Sequence, residues 1–133
     1  MRGFLLLLCA AFITTKGFTQ SIRINEILAD NDKIFADSAG EFDDVVELYN
    51  SGNEPVNLFR WYLSDDPNNL KKFRFGNVTM APGEFLLVWC DEDVLQPGIH
   101  ANFRLNVNGE PLILTDDDET VVDSVTYPQL AEN

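Results

Sequence analysis

Residues 43–58 read DDVVELYNSGNEPVNL, and residues 61–66 read WYLSDD; these two stretches decide the fold. β-Branched and apolar residues fill the first half of the longer stretch, and the turn residues Ser51, Gly52 and Asn53 end it. A second short apolar run then leads into an acidic loop. Short apolar segments separated by polar turns predict an antiparallel β-meander with acid-rich corners.

The rest of the chain repeats this pattern. No window shows a sustained helical period of 3.6 residues. Residues 85–89 are apolar at every position, which predicts a central strand covered on both faces. Lys and Arg within residues 72–75 predict an edge strand. We expect an all-β sandwich of eight or nine short antiparallel strands, at residues 22–28, 45–50, 56–58, 61–64, 72–75, 85–89, 102–105, 112–114 and 121–125.

The first nineteen residues differ from the rest. One positive charge at Arg2 precedes a continuous apolar run at residues 4–13, and small or polar residues follow at 14–19. This order is typical of a secretory signal peptide. The apolar run is too short to cross a bilayer, which needs about 20 residues. We predict a signal peptide at residues 1–19, one domain at residues 20–133, and an extracellular or cell-surface location.

The composition limits the partners. Nine Lys and Arg stand against 22 Asp and Glu, a net charge of −13, and loss of Arg2 and Lys16 with the signal peptide lowers it to −15. Such a surface repels nucleic acids and anionic membranes and attracts divalent cations. With Cys9 removed, Cys90 is the only cysteine left, so no intrachain disulfide can form and a buried, inert thiol is predicted.

A catalytic site is not predicted. His100 is the only histidine, and a Ser–His–Asp arrangement with Asp91 or Asp93 would need a serine in a strained, glycine-flanked turn, which the sequence lacks. A loop hydrogen bond is therefore the expected role of His100. One histidine and one cysteine cannot complete a zinc site. We expect no enzyme activity and no catalytic, cofactor-binding or metal-binding residues.

Calcium binding is the main alternative, because carboxylates and loop oxygens are the ligands that this ion prefers. Two loops are candidates, one within residues 30–44 and one at residues 116–119. The first has no EF-hand pattern, and both are also explained as solvated acidic corners that keep sheet edges apart. The candidate oxygens lie in two loops: Asp30, Asn31, Asp32, Asp37 and Glu41 within residues 30–44, and Asp116, Asp117, Asp118 and Glu119.

Two glutamates lie inside predicted strands. Glu26 shares its alternation with Ile22 and Ile24, which places it on the apolar side. A buried carboxylate needs hydrogen-bond donors. We expect Glu26 to accept hydrogen bonds from an arginine or from backbone amides and to set the strand register. The alternative is that Glu26 and Glu47 contact a ligand.

Seven motifs, spread over residues 22–128, follow the order found in one known family. The chain resembles the lamin tail domain of secreted bacterial proteins. Val45 departs from the pattern, since relatives often carry Trp there. The resemblance implies an immunoglobulin-like β-sandwich without catalytic residues. The motifs are INEI at 24–27, DDVVELYN at 43–50, YLSDD at 62–66, APGEFLLVW at 81–89, HANFRL at 100–105, GEPLIL at 109–114 and VDSV at 122–125.

The resemblance implies a non-catalytic module that binds or tethers a protein, a glycan or the cell envelope. We expect it to be monomeric, without nucleic acid, membrane span or cofactor. A calcium-dependent adhesion or carbohydrate-binding module, using residues 30–44 and 116–119, is the first alternative. An accessory domain or spacer of a longer secreted hydrolase is the second. Exposed aromatic rings would favour sugar binding, although core packing is the expected role of Trp61 and Tyr62.

Overall fold

The computed structural model describes residues 21–34 and 36–129, and the predicted signal peptide lies outside them. The described residues form ten strands and no helix. The strands are β1 Ile22–Leu28, β2 Val45–Asn50, β3 Val56–Asn57, β4 Tyr62–Ser64, β5 Phe73–Arg74, β6 Thr79–Met80, β7 Phe85–Cys90, β8 His100–Ala101, β9 Gly109–Thr115 and β10 Val121–Pro128.

Two four-stranded sheets make the sandwich, in the orders β1-β2-β7-β8 and β10-β9-β4-β5, and β3 pairs with β6 beside them. The predicted all-β sandwich is therefore confirmed, and β5 lies at a sheet edge as its basic residues indicate. The expectation of purely antiparallel pairing is wrong at one place. Strands β7 and β8 pair in parallel, because residues 91–99 cross back before β8 begins.

The shortest strands are the ones that the sequence placed poorly. Strand β6 was not predicted, and the strand predicted at residues 102–105 is wrong. The strand lies instead at His100–Ala101, and Arg104 makes only an isolated bridge with Asp91. A two-residue strand has no alternation to recognise, so only its hydrogen-bond partners define it.

The core lies between the two sheets. Leu48 and Val88 face inward from the first sheet, and Leu63 and Leu114 from the second, all fully buried. Burial of each such side chain stabilises the fold by about 1.5–3 kcal/mol. Cys90 belongs to the same core, and burial raises the pKa of its thiol well above the usual value. The predicted burial of this thiol is confirmed.

Strand β7 is covered on both faces only in its second half. Trp89 is buried on the outer face, where the His100 ring stacks beside it at 6.5 Å between ring centroids. Phe85, at the start of the strand, is 54% exposed and stacks on Tyr49 at 4.5 Å. The prediction from the apolar run was therefore half wrong, because nothing in the described chain folds over the first residues of β7.

Candidate functional site

Four carboxylates converge where residues 36–43 meet the segment after β7. We call Asp37, Glu41, Asp43 and Asp91 the acidic corner. Carboxylate oxygens of the first three all lie within 4.8 Å of one another. Oxygens of Asp37 and Asp91 and a ring nitrogen of His100 form a second group within the same distance. The spacing is suitable for shared contact with one cation.

A tight turn holds the first side of the acidic corner. The Asp37 Oδ1 atom accepts hydrogen bonds from the backbone N–H groups of Ala39 and Glu41, each at 2.9 Å. The Asp37 N–H in turn donates to the Glu41 carbonyl at 2.8 Å. Gly40 lies between them with φ 86°, a conformation that glycine adopts without steric cost. The turn therefore orients the Asp37 carboxylate.

A buried pair, Asp91 and His100, forms the second side of the acidic corner. His100 Nδ1 lies 2.7 Å from Asp91 Oδ2, and the two side chains are 1% and 0% exposed. Asp91 Oδ1 accepts a hydrogen bond from the Asp93 N–H, and His100 Nε2 lies 3.3 Å from the Pro97 carbonyl oxygen. Both ring nitrogens therefore contact protein oxygens. The predicted hydrogen bond of His100 is present, but the residue lies in β8 rather than in a loop.

Two oxygens of the acidic corner have no protein partner. Oδ2 of Asp37 and Oδ2 of Asp43 are buried and accept no hydrogen bond from the described residues. Burial raises the pKa of Asp43, and the charges of Asp91, Glu41 and Asp37 raise it further. A buried carboxylate oxygen without a donor is costly. The corner is therefore chemically suited to a hard divalent cation.

Only some of the calcium ligands proposed from the sequence of residues 30–44 come together in the structure. Asp37 and Glu41 join the acidic corner, but Asp30 and Asp32 do not. Asn31 is buried and structural, since its amide donates to the Asp43 carbonyl at 3.0 Å and its oxygen accepts from the Ile34 N–H. Asp91 was missed as a partner of this loop, because only the tertiary fold brings it there.

The second acidic loop has a different role. Asp116 Oδ1 accepts hydrogen bonds from the N–H groups of Asp118 and Thr120, at 3.0 and 2.8 Å. Glu119 forms an ion pair with Lys71 at 2.6 Å. These contacts close the turn between β9 and β10. Its carboxylates form no convergent group in the described part of the chain.

The hypothesis of a buried Glu26 is wrong. A β-bulge between Ile24 and Glu26 shifts the alternation of β1 by one residue, so Glu26 is exposed on the outer face. It pairs across the strands with Glu47, which accepts a hydrogen bond from the Asn25 side chain at 2.7 Å. The two glutamates line a groove of only about 70 Å³.

An open concavity of about 550 Å³ lies on another part of the surface. We call it the aromatic concavity, and it is lined by Asn57, Phe59, Trp61, Asn77 and Asp117. Phe59 is 52% exposed and Trp61 is half-buried, with its inner side packed on the core. The concavity is open to solvent, so it offers a contact surface rather than an enclosed pocket.

A bend between β3 and β4 builds the aromatic concavity. Arg60 has φ 64°, and the Trp61 N–H donates to the Leu58 carbonyl at 2.9 Å. This turn projects Phe59 outward and lets Trp61 reach the core with one side. Tyr62, the next residue, is buried. Tyr62 is therefore enclosed although it is not part of the core cluster between the sheets, whereas Trp61 serves both the core and the surface.

The two packed sheets define an immunoglobulin-like β-sandwich. The family model of the lamin tail domain matches residues 17–129, so the chain belongs to the lamin tail domain family. The resemblance seen in the seven motifs is thereby confirmed. No curated protein matches the chain. Residues 21–34 and 36–129 contain no helix with the length and apolarity that a bilayer crossing requires.

Proposed function

We propose that this protein is a secreted, non-catalytic module that tethers a partner protein, a glycan or the cell envelope. The observation that carries the proposal is the aromatic concavity, where Phe59 and Trp61 are accessible beside polar side chains. The only histidine, by contrast, is enclosed with Asp91 and reaches no surface. The charge and apolar pattern of residues 1–19 supports secretion.

Co-sedimentation with isolated cell envelopes of the source organism tests this function. Two phenylalanines form a matched pair, since Phe59 and Phe85 are 52% and 54% exposed but lie on different surfaces. The wild-type protein and the Phe85→Ala variant are expected to sediment with the envelopes, and the Phe59→Ala variant to remain in solution. Equal behaviour of the two variants would exclude the aromatic concavity as the contact surface.

Calcium-dependent adhesion is the second candidate. It is favoured by one observation, the two buried carboxylate oxygens of Asp37 and Asp43 that accept no hydrogen bond from residues 21–34 and 36–129. A cation bound by the folded state alone stabilises the protein in proportion to the logarithm of its concentration. We expect millimolar Ca²⁺ to raise the melting temperature by several degrees over EDTA.

Magnesium at the same concentration is the control, because Mg²⁺ demands a stricter octahedral geometry and loses its waters reluctantly. An equal rise with both ions would indicate general screening of the acidic surface. No rise with calcium would show that the acidic corner does not bind this ion, and the adhesion candidate would then be abandoned.

A further inference from the structure

We propose that the aromatic concavity binds an uncharged carbohydrate, with one sugar ring stacked on the exposed aromatic surface. This inference rests on the proposed recognition function and names the chemical class of its ligand. Three features of the concavity support it: the aromatic surface, the polar groups beside it, and a lining that contains no basic side chain among the described residues.

The aromatic surface is accessible and held in place. The Phe59 N–H donates to Asn57 Oδ1 at 2.7 Å, which fixes the backbone at the ring. The Arg74 guanidinium carbon lies 5.7 Å from the centroid of the Phe59 ring and restrains the ring further. Trp61 is anchored by its packing on the core. A pyranose ring presents an apolar C–H face, which suits a fixed aromatic platform that water solvates poorly.

The polar groups beside the rings offer both a donor and an acceptor. The Asn57 amide is used internally, because its oxygen accepts from Phe59 and its nitrogen donates to Asn77 Oδ1 at 2.8 Å. This bond orients the Asn77 side chain and leaves its NH₂ group free in the described structure. The Asp117 carboxylate accepts no hydrogen bond from the described residues. A sugar hydroxyl both donates and accepts, so a pair of hydroxyls can contact Asn77 and Asp117 together.

The charge of the site selects uncharged sugars. Asp117 contributes a carboxylate to the lining, and none of the Lys and Arg side chains within residues 21–34 and 36–129 is part of it. The whole chain carries a net charge of −13. A uronate or a sulfated sugar would bring a negative charge next to Asp117, and the Arg74 guanidinium beside the Phe59 ring is not part of the lining. Like charges in close contact oppose binding.

A printed glycan array and native gels that contain soluble polysaccharides test the proposal with the purified protein. Neutral probes are laminarin, galactomannan and xyloglucan, and anionic probes are alginate and polygalacturonate. We expect at least one neutral glycan to bind and the anionic ones not to bind. Phe59→Ala should weaken that binding about tenfold, since an aromatic contact of this size is lost. Asn77→Ala should weaken it about fivefold, the value of one hydrogen bond.

Phe85→Ala is the matched control and should bind like the wild type. Thermal melts of all variants verify that each is folded. If no neutral glycan binds, or if Phe59→Ala and Phe85→Ala bind equally, the carbohydrate proposal is overturned. Envelope co-sedimentation separates this failure from failure of the tethering function. Sedimentation without glycan binding would leave a tether to protein, whereas Phe59-dependent glycan binding without sedimentation would keep the sugar site and remove the envelope role.

Discussion

The acidic corner and the β9–β10 turn at residues 116–119 each contain four carboxylates, yet their surroundings differ. In the turn, Asp116 accepts hydrogen bonds from the backbone and Glu119 pairs with Lys71, so these carboxylates support local structure. In the corner, buried oxygens of Asp37 and Asp43 find no donor in the part of the chain that the structure describes. The comparison teaches that a high density of acidic residues does not define an ion site. Convergence from separate segments, together with buried oxygens that accept no hydrogen bond from the described residues, is what makes the corner the candidate.

The largest expected effect is a difference in unfolding free energy between a substitution in the acidic corner and one in the β9–β10 turn. Replacement of Asp91 by alanine leaves buried His100 Nδ1 without its partner at 2.7 Å. We expect a loss of about 3 kcal/mol in the free energy of unfolding, the cost of breaking a buried polar pair. Urea denaturation measures it. Asp118→Ala in the turn is the control, and an equal loss in both variants would contradict the contrast between the regions.

The second prediction separates the regions by calcium response. In EDTA, Asp43→Asn should be at least as stable as the wild type, because burial and neighbouring carboxylates raise the pKa of Asp43 and disfavour its charged form. With Ca²⁺ at ten times its dissociation constant the wild type should gain about 1.4 kcal/mol. Asp43→Asn should lose this gain and Asp118→Asn should keep it. Melting temperatures with and without Ca²⁺ measure the gain. If Asp43→Asn keeps it, the acidic corner is excluded as the calcium site.

The third prediction compares the acidic corner with Glu110, a carboxylate that does accept hydrogen bonds from the protein. The Tyr127 hydroxyl donates to Glu110 Oε1 at 2.9 Å. Burial, and then the hydrogen bond to Glu110, raise the pKa of Tyr127 well above its usual value of 10.0. The folded protein therefore keeps a proton that the unfolded chain loses, so this stabilisation is complete below pH 10 and is lost as the pH rises above it.

Tyr127→Phe should consequently lose about 1 kcal/mol of unfolding free energy at pH 7. The difference from the wild type should shrink above pH 10, because the variant has no phenol to titrate. Urea denaturation at neutral and alkaline pH measures both values. A difference that stays constant across this range would show that the hydroxyl is not held in its protonated form by the fold.

The smallest effect belongs to the turn. Lys71 and Glu119 are 52% and 49% exposed, although their charged atoms lie 2.6 Å apart. Water and salt screen such a pair, so Lys71→Ala should leave the unfolding midpoint unchanged within error. Thermal melts at low and high salt measure it. A clear, salt-sensitive drop would mean that the turn, like the corner, depends on its charges.

Long elements and buried positions were predictable from sequence. The bounds of β1 and β2 were predicted as observed, and the edge position of β5 followed from its basic residues. Glu26 was assigned to the wrong face because the β-bulge after Ile24 has no signal in the apolar pattern. The site was predicted only in part. Asp37 and Glu41 lie in an acidic loop that is visible in the sequence, whereas Asp91 joins them from a distant segment.

By itself, the sequence determined the all-β class, the family and the strongly acidic surface, because apolar alternation, turn residues and charge are local properties that act at every position. Only the tertiary structure decided which acids meet and which aromatic rings stay exposed. Phe59 and Phe85 have similar exposure on unrelated surfaces, and Trp61 divides its two sides between core and solvent. Such outcomes depend on long-range packing, where the loop between β7 and β8 and the bend before β4 place side chains that no local pattern can position.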